Sequence, residues 1–133
     1  MPVYTCTAAQ GSLTSDLKAR LAAEITRIHA DINHVPPAYV NVLFSDLPAD
    51  SVFAGGRPAT PLILTGWVRR GHPQEEATRL AQELSSATAR ISGVDESQIM
   101  VVLQDSPARS AVEGGHVLPE PGEEKEWLRR TEA

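Results

Sequence analysis

Pro2, directly after the initiator methionine, is the residue whose chemistry depends most on where the chain begins. Inside a chain its nitrogen is an amide without an N–H. Freed at a terminus by removal of Met1, the same atom is a secondary amine that can act as acid, base or nucleophile. A strand-like run, Val3-Tyr4-Thr5-Cys6-Thr7-Ala8, follows at once and is expected to fix the ring in a folded core instead of on a frayed end. Met-Pro is also an ordinary start, and the dipeptide alone favours that plain reading, so the rest of the chain must decide. Further groups with chemical potential are His29, the cluster Arg69-Arg70-Gly71-His72, and Glu113. Each has a plain alternative. His29 reads equally as a surface or satisfied helix histidine, Arg69-Arg70 as a solvated turn after a strand, and Glu113 as an arm carboxylate in a salt bridge.

The elements that must position these groups fit one domain. The chain has 133 residues, 41% of them hydrophobic, enough for one core and too few for two independent ones. Its net charge of -5 and dispersed Lys and Arg argue against a nucleic-acid or anionic-membrane partner, leaving a small molecule or a protein. Cys6 is the only cysteine, so neither an intrachain disulfide nor a cysteine metal cluster is expected. There is no leader-like start and no apolar run approaching the roughly 20 residues of a membrane span, which points to the cytoplasm.

After the first strand, Gln10-Gly11-Ser12 reads as a turn and Thr14 as a helix N-cap. Leu17, Leu21, Ala22, Ile25, Ile28 and Ile32 then mark the apolar stripe of a long helix that Pro36-Pro37 ends. Tyr39 to Phe44 is a second strand, and Asp46 to Thr60 a loop without periodicity. Pro61 to Val68 is a third strand, and Pro73 opens a second helix at its first position, with a glycine stop at Gly93. Ile99 to Leu103 is the fourth strand.

Val3 to Val40 and Leu62 to Ile99 are the same distance apart, 37 positions, so strand-helix-strand occurs twice. The expected fold class is α/β (α+β): pseudo-repeats over 2–45 and 61–104, a four-stranded sheet with two helices on one face, and an extended C-terminal arm over 105–133. In that arm Leu118 and Trp127 read as anchors on another surface, such as a neighbouring subunit's, and the last five residues as disordered. Val, Leu and Ile occupy both faces of the strands, so subunits are expected to cover the face without helices.

A duplicated βαβ chain with proline after the initiator methionine resembles the tautomerase superfamily. His29, Arg69 and the segment from Pro107 to Gly122 are similar to the cis-3-chloroacrylic acid dehalogenase branch, and the resemblance covers nearly the whole chain. It implies a homotrimer with no cofactor or metal, acting on a small carboxylate. In that family the proline is the catalytic amine, a histidine and two arginines hold the carboxylate, and a tail glutamate with a tyrosine activates water. Pro2, His29, Arg69 and Glu113 stand at the matching positions, with Arg70 a second candidate beside Arg69.

Two positions depart from the pattern. The second arginine is His72, and the tyrosine of the fourth strand is Val102. A histidine carries full charge only below its pKa, and valine cannot orient water. Proton transfer by the proline needs neither, so the expected activity is keto-enol tautomerisation of 2-oxo acids of the phenylpyruvate type. Dehalogenation or hydration of a 3-haloacrylate, or a non-enzymatic trimeric binding protein, are the alternatives.

Overall fold

The computed structural model describes residues 1–132. Strand β1 (Val3–Ala9) leads into helix α1 (Ser15–Asn33) and back to β2 (Asn41–Leu47), then a short hairpin forms from β3 (Phe53–Ala54) and β4 (Arg57–Pro58). The second half repeats this with β5 (Leu62–Arg69), α2 (Gln74–Ser92), β6 (Ile99–Ser106) and a hairpin of β7 (Val112–Glu113) and β8 (His116–Val117). A third helix, α3 (Glu124–Thr131), closes the described chain.

The duplication runs further than the strand pattern alone suggests. Val3 and Leu62, Ser15 and Gln74, Phe53 and Val112, and Arg57 and His116 are each 59 positions apart. Gly55-Gly56 and Gly114-Gly115 keep the same offset, and all four have positive φ, which is what their tight hairpin turns require. The stretch from Asp46 to Thr60, read as a loop, is therefore a second copy of the element that carries Glu113.

The sheet order is β2-β1-β5-β6. Within each half the strands run parallel, Val3 opposite Asn41 and Leu62 opposite Ile99, while β1 and β5 pair antiparallel with Val3 opposite Trp67. Both helices pack on one face. Leu21, Ile25, Ile28 and Ile32 of α1 and Leu80, Leu84 and Ala87 of α2 join Tyr4, Cys6, Leu62 and Leu64 in one core, as alternate residues of a strand must point to the same side. The Thr14 hydroxyl accepts from the Leu17 N–H at 3.2 Å, and Gly93 ends α2 with φ 75°. Helix α1 stops at Asn33 because His34 turns left-handed at φ 55°, before the prolines, and Pro73 sits one position ahead of α2 as its N-cap.

The tail holds a helix, which the expectation of an extended arm left out, and Arg129 to Thr131 belong to it. Glu124 and Glu126 in its first turn and Arg129 and Arg130 in its last suit the helix dipole. Leu118 and Trp127 are anchors, but on this chain's own surface. They form a second cluster with Met1, Val35 and Ala108, where the Trp127 ring meets Tyr39 edge to face at 5.5 Å and its Nε1–H donates to the Val117 carbonyl at 2.8 Å. Among the described residues no helix is long and apolar enough to cross a membrane.

Candidate active site

Topology brings the start of β1 to one end of the sheet, together with the ends of β5 and β6. Because β1 and β5 are antiparallel, Val3 lies opposite Trp67, two residues before Arg69; because β5 and β6 are parallel, Arg69 lies opposite Ser106. Helix α1 runs back along β1, so its last turns, with His29 and Asn33, return to the same end. The β7–β8 hairpin follows β6 and brings Glu113 over the chain terminus.

Here the terminal amine of Met1, a residue 2% exposed, stands 3.3 Å from Glu113 Oε1. The Pro2 ring behind it is fully buried, and its carbonyl accepts from the Asn41 N–H at 3.1 Å. Burial pulls the terminal amine down to a pKa of about 6, with Arg69 adding to the effect and Glu113 opposing it. The amine is therefore largely neutral near pH 7. Met1, Val3, Trp67, Val112, Glu113 and Leu118 line a cleft of about 230 Å³ at this point.

His29 is 2% exposed, and its firm hydrogen bond is at Nδ1. Nδ1 lies 2.7 Å from the Tyr4 hydroxyl, and Nε2 lies 3.5 Å from the Asn33 side-chain amide. Burial pushes the Tyr4 pKa up, so the phenol keeps its proton and donates it to Nδ1, which places the histidine proton on Nε2. Burial also lowers His29 to about 3, helped by the charges of the terminus, His72 and Arg69. Tyr4 has room because residue 66 is glycine: a Cβ there would stand 2.5 Å from Tyr4 Cε1.

Arg69 is 3% exposed, and both its terminal nitrogens are engaged by the tail. Nη1 donates to the Pro119 carbonyl and Nη2 to Glu124 Oε1, each at 2.7 Å. Burial raises the Glu124 carboxyl, but the Arg69 bond and the backbone N–H groups of Gly122 and Glu124 outweigh it and hold its pKa below the usual range. Arg70 is not brought to this place: it is exposed and bonds Asp105 at 3.1 Å. His72 Nδ1 pairs with Glu76 at 3.3 Å on the edge of the site. Val102 pairs with Thr65 on the helix-free face.

The duplicated fold offers a built-in comparison. At the opposite, equivalent end of the sheet the 59-residue offset puts Pro61, Gln10, Thr88 and Ala54 where this end has Pro2, Arg69, His29 and Glu113. Amine, cation, imidazole and carboxylate occur together only at the end with the chain terminus. Glu124, Pro119 and Asn33 were not singled out in the sequence; the signal for Glu124 was the Glu-rich start and Arg-rich end of a short helix anchored by Trp127.

Solved structures with this architecture include Ps01740, 33% identical with a TM-score of 0.82 over 84% of this chain and 99% of that one. N1, a member of the cis-3-chloroacrylic acid dehalogenase family, is 29% identical with a TM-score of 0.93 over 96% of this chain and 90% of that one. Native fused 4-OT is 25% identical with a TM-score of 0.79 over 86% and 94%. No curated protein sequence matches the chain. Residues 1–132 match the family described as "Putative oxalocrotonate tautomerase enzyme", and with the near-complete superposition on N1 this places the chain in the tautomerase superfamily, in its cis-3-chloroacrylic acid dehalogenase-like branch.

Proposed function

We propose that this chain, once Met1 is removed, is a cofactor-independent tautomerase of 2-oxo acids of the phenylpyruvate type, with Pro2 as its acid and base. The observation that carries the reading is the buried chain start: the fully buried Pro2 lies next to a Met1 amine that stands beside Glu113, and burial and Arg69 lower that Met1 amine to a pKa of about 6. Excision of Met1 moves the terminal nitrogen by one residue, less than ~4 Å, so the prolyl amine would arise at the same buried end of the sheet. Neutral Pro2 takes the enol hydroxyl proton and then, as the ammonium, delivers a proton to the adjacent carbon. Such acid-base catalysis contributes on the order of 10²- to 10⁴-fold, and positioning supplies the rest.

Arg69 serves as the carboxylate clamp. A guanidinium has five N–H donors, and the two bonds to the tail use one each on Nη1 and Nη2, so three remain for a ligand. Neutral His29, held by the Tyr4 hydroxyl, is the second proposed contact for the carboxylate. His72, paired with Glu76, is a weaker third contact.

A second reading, hydration or dehalogenation of a 3-haloacrylate, is favoured by Glu113 beside the amine and by the similarity to N1. The test is a panel of enol-pyruvates and 3-haloacrylates with protein whose Met1 excision is verified by intact mass. We expect enol-pyruvate turnover far faster than chloride release from cis-3-chloroacrylate; comparable rates would favour the second reading.

Assembly as a homotrimer is part of the same proposal. The sheet face without helices carries Val3, Leu43 and Met100 at 39%, 56% and 57% exposure, an apolar strip that subunit association would cover. Light scattering at micromolar concentration decides it, and a stable monomer overturns it.

A further inference from the structure

We propose that Glu124 is a positioning residue for Arg69: the first-turn carboxylate of α3 sets the direction of the guanidinium and balances its charge beside the terminal amine. This deepens the proposed reading of the site and rests on it for its activity readout only. The pair is buried, with Glu124 7% and Arg69 3% exposed. Glu124 is held at both oxygens, Oε1 by Arg69 at 2.7 Å and Oε2 by the Gly122 N–H at 2.9 Å, so it cannot swing with its partner. Pro119 fixes the other terminal nitrogen through its carbonyl, so the direction of the guanidinium is dictated by the tail.

A staple for the tail would explain the contact more plainly. Buried ion pairs are poor staples, however, because desolvation offsets most of their attraction. The tail is already anchored by Leu118 and Trp127 in an apolar cluster. What the pair adds is electrostatic. The charged or titratable groups acting on the terminal amine or its site are Glu113 from β7, Arg69 from β5, His29 from α1 and His72 before α2, and Glu124 is the carboxylate that offsets Arg69. Without it, the full cation would act on both the amine and His29.

The experiment uses the full chain with Met1 removed and proline labelled with ¹⁵N. The Pro2 amine is titrated by NMR in the wild type, Glu124→Gln and Glu124→Asp, and kcat and KM for an enol-pyruvate are measured on each. In Glu124→Gln the amine pKa should fall by about half a unit or more, since an unbalanced cation disfavours the ammonium, and the acid limb of the rate profile should move with it. Glu124→Asp keeps the charge but shortens the reach, so KM should rise severalfold with the amine near its wild-type value. An unchanged amine in folded Glu124→Gln overturns the proposal. So does wild-type KM in folded Glu124→Asp, and so does unfolding of both, because a positioning role requires the Trp127 cluster to hold the tail unaided. If the wild type turns over no enol-pyruvate, the proposed function fails while the amine titration still decides the role of Glu124.

Discussion

Acid should expose how His29 is held. Its ring stays neutral in the folded chain down to a pKa of about 3, against an ordinary 6.5, with burial as the main cause. The folded value is depressed and the group is cationic when protonated, so the unfolded chain binds the proton first and stability falls as pH drops from 6.5 toward 3. Keeping the ring neutral at pH 4 rather than protonating it at its ordinary value costs about 3 kcal/mol at 1.36 kcal/mol per pH unit. His29→Gln removes that titration while leaving an acceptor for the Tyr4 hydroxyl. At pH 7 the variant should be less stable by about 1 kcal/mol, the worth of an imperfect hydrogen bond and altered packing. At pH 4 the order should reverse, with the variant more stable by about 2 kcal/mol. Urea melts of both proteins at pH 7 and pH 4 read this directly, and the other titrating groups, Glu124 and the terminal amine among them, cancel in the comparison. An equal difference at the two pH values would refute the claim that His29 is buried and neutral.

Gly66→Ala forces a Cβ to within 2.5 Å of the Tyr4 ring, which is pinned by its bond to His29, and should cost about 1–3 kcal/mol in a urea melt with tautomerase activity lowered as well. Trp127→Ala empties the centre of the second cluster and should cost about 3–5 kcal/mol, with α3 becoming sensitive to limited proteolysis before the sheet does. Pro2→Ala should fold normally and lose most enol-pyruvate turnover, since a flexible primary amine replaces a rigid secondary one, and Arg69→Ala should raise KM. The double variant His72→Arg and Val102→Tyr should raise chloride release from cis-3-chloroacrylate while changing tautomerisation less; no gain in a folded protein would show that these positions do not separate the two reactions.

Most of the fold was legible because its signals are local. The helical stripes of Leu21, Ile25 and Ile28 and of Leu80 and Leu84, the Thr14 cap and the Gly93 stop are short-range patterns, and each forms as its spacing implies. What stayed hidden depends on long-range partners. The hairpin Phe53 to Pro58 has two-residue strands with no periodicity to read, and only its counterpart 59 positions later reveals it as a repeated element. Helix α3 has eight residues and one buried aromatic, too short to stand without the cluster at Met1 and Val35 that receives Trp127.

The same distinction governs the site. The proposal for Pro2 begins from sequence position alone, whereas Arg69 and Arg70 are adjacent and chemically alike. The resemblance favours Arg69, and the fold separates them physically: one is buried at the end of a central strand, the other exposed beside Asp105. Duplication also bears on why the proposed site lies at one end. Copying a βαβ unit copies Pro2 as Pro61, but under the proposed reading only Pro2 can become a free amine, by loss of Met1, while Pro61 stays an amide whatever surrounds it. At that end Gln10 and Ala54 stand at the positions equivalent to Arg69 and Glu113. The tail sharpens the asymmetry, because only the second half has chain left over after its hairpin. That remainder, from Pro119 to α3, supplies both groups that hold Arg69 in place.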